Sequence, residues 1–106
     1  MIPVITGLKS IVISEILYIE KKVENSKNII IHLSESINNS ITANLTIIQI
    51  SKFLAGKGFF QINRNMIINT DFLKEIETKS KICIVSKNGS FLKLPISKSR
   101  LGYVTK

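Results

Sequence analysis

A chain of 106 residues has room for one folded domain around one modest core, which excludes a second domain of ordinary size. Hydrophobic residues make up 44% of it and no apolar run approaches the roughly 18 residues of a membrane span, so a disordered chain and a transmembrane helix are both excluded. The net charge of +8 is one-sided: residues 1–50 balance four Lys against four Glu, while residues 51–106 set eleven Lys or Arg against Asp71, Glu75 and Glu77. Charge gathered in this way is the footprint of a polyanion binder, and equally of a small domain kept soluble by a basic surface. The opening Met1-Ile2-Pro3-Val4 lacks the basic start and small-residue cleavage site of a secretory leader, and a cytoplasmic protein is expected.

The apolar residues are dominated by Ile, whose branched Cβ suits a pleated strand better than a helix, so a mainly β fold is expected. Ile11-Val12-Ile13 and Ile16-Leu17-Tyr18-Ile19 read as two short strands about a Ser14-Glu15 turn or bulge. Residues 21–28 form an exposed connection. Ile29-Ile30-Ile31-His32-Leu33 supplies the next strand, and residues 35–42 its hairpin partner through Ile37 and Ile41. From Asn44 the period changes. Leu45, Ile48 and Phe53, with Ile50 and Leu54, recur near helical spacing, which predicts one amphipathic helix capped by Asn44 and ended by Gly56. Residues 59–62, 72–76 and 81–85 read as strands, with Met66-Ile67-Ile68 as an apolar cluster between the first two. Lys87-Asn88-Gly89-Ser90 is a hairpin turn, because Asn-Gly accepts the positive φ of a type I′ loop, and residues 91–94 pair back across it. A short helix capped by Ser97 is expected over residues 97–104.

Catalytic chemistry is poorly represented. One His, one Cys and one Asp stand in no spacing that makes a zinc site, a nucleophile elbow or a phosphate-cradling loop. His32 reads as an ordinary strand histidine, and Cys83, inside Lys-Ile-Cys-Ile-Val, as a buried thiol. No enzyme activity, cofactor or metal is expected.

Polar and cationic side chains beside apolar anchors are the stronger signal. Asn63-Arg64-Asn65 is bracketed by Phe59-Phe60-Gln61-Ile62 and Met66-Ile67-Ile68-Asn69, Ser97-Lys98-Ser99-Arg100 follows Leu94-Pro95-Ile96, and the polar connection over residues 21–28, ending in Lys27-Asn28, is a third segment, the three being expected to converge on one face. Arg suits guanine or phosphate, Asn suits adenine, and Lys and Ser suit phosphate. The same residues also serve as self-satisfied turns, helix caps and solvated loops.

In order and spacing these segments resemble the LytTR family of bacterial DNA-binding domains. The resemblance runs from about Ile16 to Val104: an Ile-Leu-Tyr-Ile-Glu strand, a single helix, a Phe-x-x-Ile-x-Arg-x-x-x-Val-Asn-like segment at residues 59–69, the Asn88-Gly89 turn, and a Leu-Pro-Val-Ser-Arg-like segment from Leu94. It implies an elongated set of short antiparallel β-sheets with one amphipathic helix and a short C-terminal helix, in one domain with its core at about residues 11–104.

It also implies a transcriptional regulator that binds double-stranded DNA through loops in successive major grooves. Paired sites and DNA bending belong to that picture, as do a homodimer on DNA and an upstream sensor or receiver protein. Carried over by position, the DNA contacts are Lys27, Asn28, Asn63, Arg64, Asn65, Lys98, Ser99 and Arg100. Asn63 stands where His is common in the family, Asn65 where Ser is common, and Lys98 where Arg is usual. Two rival classes remain. One is a protein-interaction module using a strand edge such as residues 91–94. The other is an RNA-binding domain, disfavoured because Phe59, Phe60, Phe72 and Phe91 sit in core-like runs rather than on a stacking surface.

Overall fold

Burial alternates along the expected β-branched runs, which makes them strands with one face covered more deeply than the other. In the strand Ile29–Leu33, residues 29, 31 and 33 are buried while Ile30 and His32 are only partly covered. The structure is a computed structural model that describes residues 2–4, 7–9, 13–22, 27–34, 40–87 and 89–100. Its strands are β1 (Ile2–Val4), β2 (Gly7–Lys9), β3 (Ile16–Lys21), β4 (Ile29–Leu33), β5 (Ser40–Ala43), β6 (Phe59–Asn63), β7 (Met66–Asn69), β8 (Leu73–Glu77), β9 (Ile82–Lys87) and β10 (Ser90–Pro95). All pair antiparallel, in a seven-stranded sheet ordered β2-β1-β5-β4-β3-β7-β6 and a three-stranded sheet ordered β10-β9-β8. The mainly β fold and its short sheets are as the sequence implied, and the molecule measures 41 × 28 × 27 Å.

The large sheet has a core on each face. Against one face lies the helix α1 (Ile47–Phe53): Ile47, Ile50 and Leu54 meet Ile16, Ile19, Ile29, Ile31 and Ile67. Against the other lies the small sheet, where Cys83, Val85 and Leu94 meet Leu17, Ile62 and Ile68. β3 lies between the two cores, and a bulge near its start sets which of its residues reach each. Ile16 faces Leu33 and Tyr18 faces His32, so Leu17 is an extra residue that shifts the alternation. A second bulge makes Ile62 the extra residue of β6, and it packs in the small-sheet core beside Phe60. At the far end of β7, the buried Asn69 ties the strands together. Its Nδ2 donates to the Ile16 carbonyl at 2.9 Å and its Oδ1 accepts from Asp71 N at 3.0 Å.

Several local expectations are corrected. Thr46, not Asn44, is the N-cap of α1. Its Oγ1 accepts from Gln49 N at 3.1 Å and the Gln49 side chain accepts from Thr46 N at 2.9 Å, a reciprocal box that Asn44 lies too early to form. The buried stripe of α1 is Ile47, Ile50 and Leu54, spaced i, i+3, i+7, which leaves Ile48 67% exposed and Phe53 42% exposed. Gly56, with φ +76°, lies in the turn after the helix as expected. Ile13 begins a 3-10 turn (Ile13–Glu15) rather than ending a strand, and Phe72 ends another (Thr70–Phe72) before β8 starts. The short strands β1 and β2 were not anticipated. Ile11, Val12, Ile37 and Asn88 lie outside the described residues, but Ser90 pairs with Lys87 across the expected turn, and Gly89 holds φ +83°. Phe91 is 59% exposed, on the outer face of the small sheet rather than in the core.

Replacing Ile19 by Ala removes a fully buried side chain from the helix-side core and should cost about 2–5 kcal/mol in urea denaturation, whereas Ile48→Ala should stay within about 0.5 kcal/mol. Burial pushes the Cys83 thiol up from 9.0 to about 11. The unfolded thiol therefore ionises first, and the stability present below about pH 9 should fall as pH climbs towards about 11. Urea midpoints taken across that range should drop more steeply for the native chain than for Cys83→Ala.

Candidate nucleic-acid interface

Antiparallel pairing brings separate parts of the chain to one end of the large sheet. β3 ends beside the start of β7, with Glu20 opposite Met66, and Lys21 N donates to the Asn65 carbonyl at 2.8 Å. β6 and β7 are joined by the two-residue turn Arg64-Asn65. The exit of β10 arrives at the same place, where Ser97 N donates to the Ile62 carbonyl at 2.8 Å. Together they surround an open groove of about 620 Å³, lined by Glu20, Lys21, residues 63–66 and residues 95–97.

Asn63 organises this groove. Its Oδ1 accepts from Asn65 N at 2.8 Å, closing the turn, and its Nδ2 donates to the Pro95 carbonyl at 2.7 Å, bolting the turn to the end of β10. Both ends of its amide are thus engaged in structure. Arg64 and Asn65 are exposed at the tip, and no ion pair holds Arg64 among the described residues. Ser97 caps a helical turn at residues 98–100: Arg100 N donates to the Ser97 carbonyl at 3.1 Å and lies 3.3 Å from its Oγ. The expected cap at Ser97 is in place, and residues 101–104 of the expected helix lie outside the described residues. Lys98 and Ser99 are exposed on that turn, with Ser99 Oγ 3.3 Å from Ser97 Oγ, and Arg100 is half-buried.

Residues 27 and 28 reach the same end of the sheet. Lys21 pairs with Ile29, and Lys22 N donates to the Asn28 carbonyl at 3.0 Å. Lys27 is exposed, whereas Asn28 is only 9% exposed and sits at the base of the connection. The structure therefore gathers Asn63-Arg64-Asn65 and Ser97 around one groove, with residues 98–100 following on the helical turn from Ser97 and Lys27 at the same end of the sheet, while Asn28 is turned into the fold.

Lys21, the first residue of the polar connection, lines the groove as well, and so does Glu20, which the residue pattern did not single out. The strand pairing of Ile-Leu-Tyr-Ile-Glu with the Met66 segment was the signal for Glu20, and it is legible only once register is known. Glu20 does not stand alone. His32 Nε2 donates to Glu20 Oε1 at 2.9 Å, and the His32 ring stacks on Tyr18 with centroids 4.2 Å apart and planes within 11°. Burial, with a smaller contribution from Glu20, pushes the Tyr18 phenol above its ordinary value. His32 is thus more than the ordinary strand histidine expected.

A family model described as the LytTr DNA-binding domain matches residues 6–106. A solved structure from Bacillus cereus, described as the LytTr DNA-binding domain of a methyl-accepting/DNA response regulator, has the same fold. The TM-score is 0.74, the identity 19%, and the match covers 97% of this chain and 89% of that one. No curated protein matches the chain.

Asn63→Ala removes both hydrogen bonds that fix the turn and should lower stability by about 1–2 kcal/mol, while Asn65→Ala should change it by less than about 0.5 kcal/mol. Urea denaturation followed by circular dichroism separates the two, and equal losses would show that the Asn63 amide is not the fastening.

Proposed function

The chain belongs to the LytTR family of DNA-binding domains, and we propose that it binds double-stranded DNA sequence-specifically, as the DNA-reading part of a bacterial transcriptional regulator. The observation that carries this reading is the convergence of Arg64, Asn65, Ser97 and Lys21 on one groove at one end of the large sheet. The half of the chain that holds the whole net charge supplies most of it.

The geometry divides the labour. Arg64, exposed at the tip of a fastened turn, takes guanine N7 and O6 in a major groove, and Asn65 beside it reads adenine. Asn63 presents them rather than reading a base itself, since its amide is held on both sides. Lys98, Ser99 and Arg100 on the helical turn, and Lys27 on the first connection, take phosphates and so fix the register of the protein on the duplex. Lys98 does this as a point charge, without the planar fork of Arg. Asn28, being buried, holds the connection that carries Lys27. In this reading the loops enter successive major grooves at paired sites, two copies sit together on DNA, and a sensor or receiver protein upstream supplies the signal. The site is cytoplasmic and performs no catalysis.

A second reading has one observation in its favour. β10 is the edge of the small sheet and carries the exposed Phe91, which suits strand addition by another protein. Phe91 lies away from the groove, so the two readings use different surfaces.

Selection of duplexes from a random pool, followed by fluorescence anisotropy across salt concentrations, tests the proposal. The native chain should bind selected duplexes tightly at low salt and lose affinity steeply as salt rises. No affinity at low salt would overturn the reading, and a protein partner retained at high salt would favour the second. Arg64→Ala should cost about 1–3 kcal/mol and relax the preference at one base pair, whereas Lys98→Ala should weaken all duplexes alike and reduce the salt slope by about 1.

A further inference from the structure

A carboxylate is out of place in a groove meant for a polyanion, yet Glu20 lines it beside Lys21, Arg64 and Asn65. Within a Debye length of about 8 Å it repels phosphates, so it weakens binding unless it makes a contact of its own. It is not paired with the groove's cations, because its side-chain partner among the described residues is His32. That pair fixes its conformation. His32 holds Oε1 at 2.9 Å, the His32 ring is stacked on Tyr18, and both rings are seated on neighbouring strands. Oε2 is engaged by no described residue, and the Glu20 side chain keeps 31% of its surface open. The result is an acceptor-only group, oriented before any ligand arrives, next to the turn that presents Arg64.

From this we infer that Glu20 is a specificity-determining residue of the proposed DNA interface, accepting a hydrogen bond from the N4 amino group of a cytosine in the major groove. The inference rests on the DNA-binding reading above. Of the four bases, guanine and thymine offer acceptors that repel a carboxylate. Adenine offers N6–H beside the acceptor N7, and cytosine alone offers a donor with no acceptor next to it on its major-groove edge. His32 is then a positioning residue, acting through Glu20 and touching no base.

The experiment takes a duplex selected by the native chain, changes each base pair singly, and measures anisotropy with the native chain, Glu20→Ala, Glu20→Gln and His32→Phe. The native chain should prefer cytosine at one position by about ten-fold. Glu20→Ala should flatten that position and leave the others unchanged. Glu20→Gln should move the preference to adenine, which an amide can pair bidentately. His32→Phe, which keeps a ring on Tyr18 but no donor for Glu20, should weaken the same preference and no other. If every variant instead gains or loses affinity equally on all duplexes, Glu20 is only a repulsive or structural group and the inference fails. If the native chain binds no duplex at all, the failure lies with the DNA-binding reading itself.

Discussion

The structure depends on one strand being buried on both faces. β3 pairs with β4 on one side and β7 on the other, and it must feed a helix-side core and a small-sheet core from six residues. Regular alternation would place every second residue in each core, with no slack for a strand whose end must also meet a polar groove. The bulge at Leu17 resolves this. Ile16 and Ile19 reach the helix side, Leu17 reaches the small sheet, and Tyr18 and Glu20 are left together on the face that carries His32. Asn69, buried and bonded to the Ile16 carbonyl, satisfies backbone that the bulge exposes near the start of the strand. The position of the groove follows from this arrangement, because the end of β3 sets where the β6–β7 turn stands.

Much of the fold was legible in the sequence because β-branched runs bounded by turn residues leave little choice. β3, β4, β6, β9 and β10 come from such runs, and the Asn-Gly pairing across Lys87 and Ser90 follows from turn chemistry alone. The helix was found but rotated. Its Ile and Phe residues are distributed around much of its circumference, so periodicity admits more than one apolar stripe. Only contact with Ile19 and Ile31 selects the one through Ile47, Ile50 and Leu54. Thr46 prevailed as the cap because Gln49 lies three residues on to return its hydrogen bond, a reciprocity that Asn44 lacks. β1 and β2 are three residues each, too short for any pattern to announce them.

The candidate site was half legible. Arg64 and the Ser97–Arg100 stretch were visible as polar residues that the flanking apolar runs leave outside. Their convergence on one face was expected from residue type, but the fastening that brings them together was not visible, because the contact between Asn63 and Pro95 spans 32 positions and is made by a side-chain amide to a carbonyl. The same contact makes Asn63 part of the frame that holds the turn. Asn28 changed place for a similar reason: composition marks it as loop, but its carbonyl closes the β3–β4 connection and draws the residue inward. Glu20 belonged to the strand in sequence and to the groove in space.

Asn63 separates the scaffold of this surface from its lettering. The turn is held by one amide whose two bonds both end on main-chain atoms, Asn65 N and the Pro95 carbonyl, so they are indifferent to which side chains occupy the tip. Positions 64 and 65 thus carry little structural duty, and a lineage could exchange them one at a time while the domain stayed folded. Under the proposed DNA-binding role, such a surface would drift to new sequences by small steps, with its architecture as the fixed term and its vocabulary as the variable one.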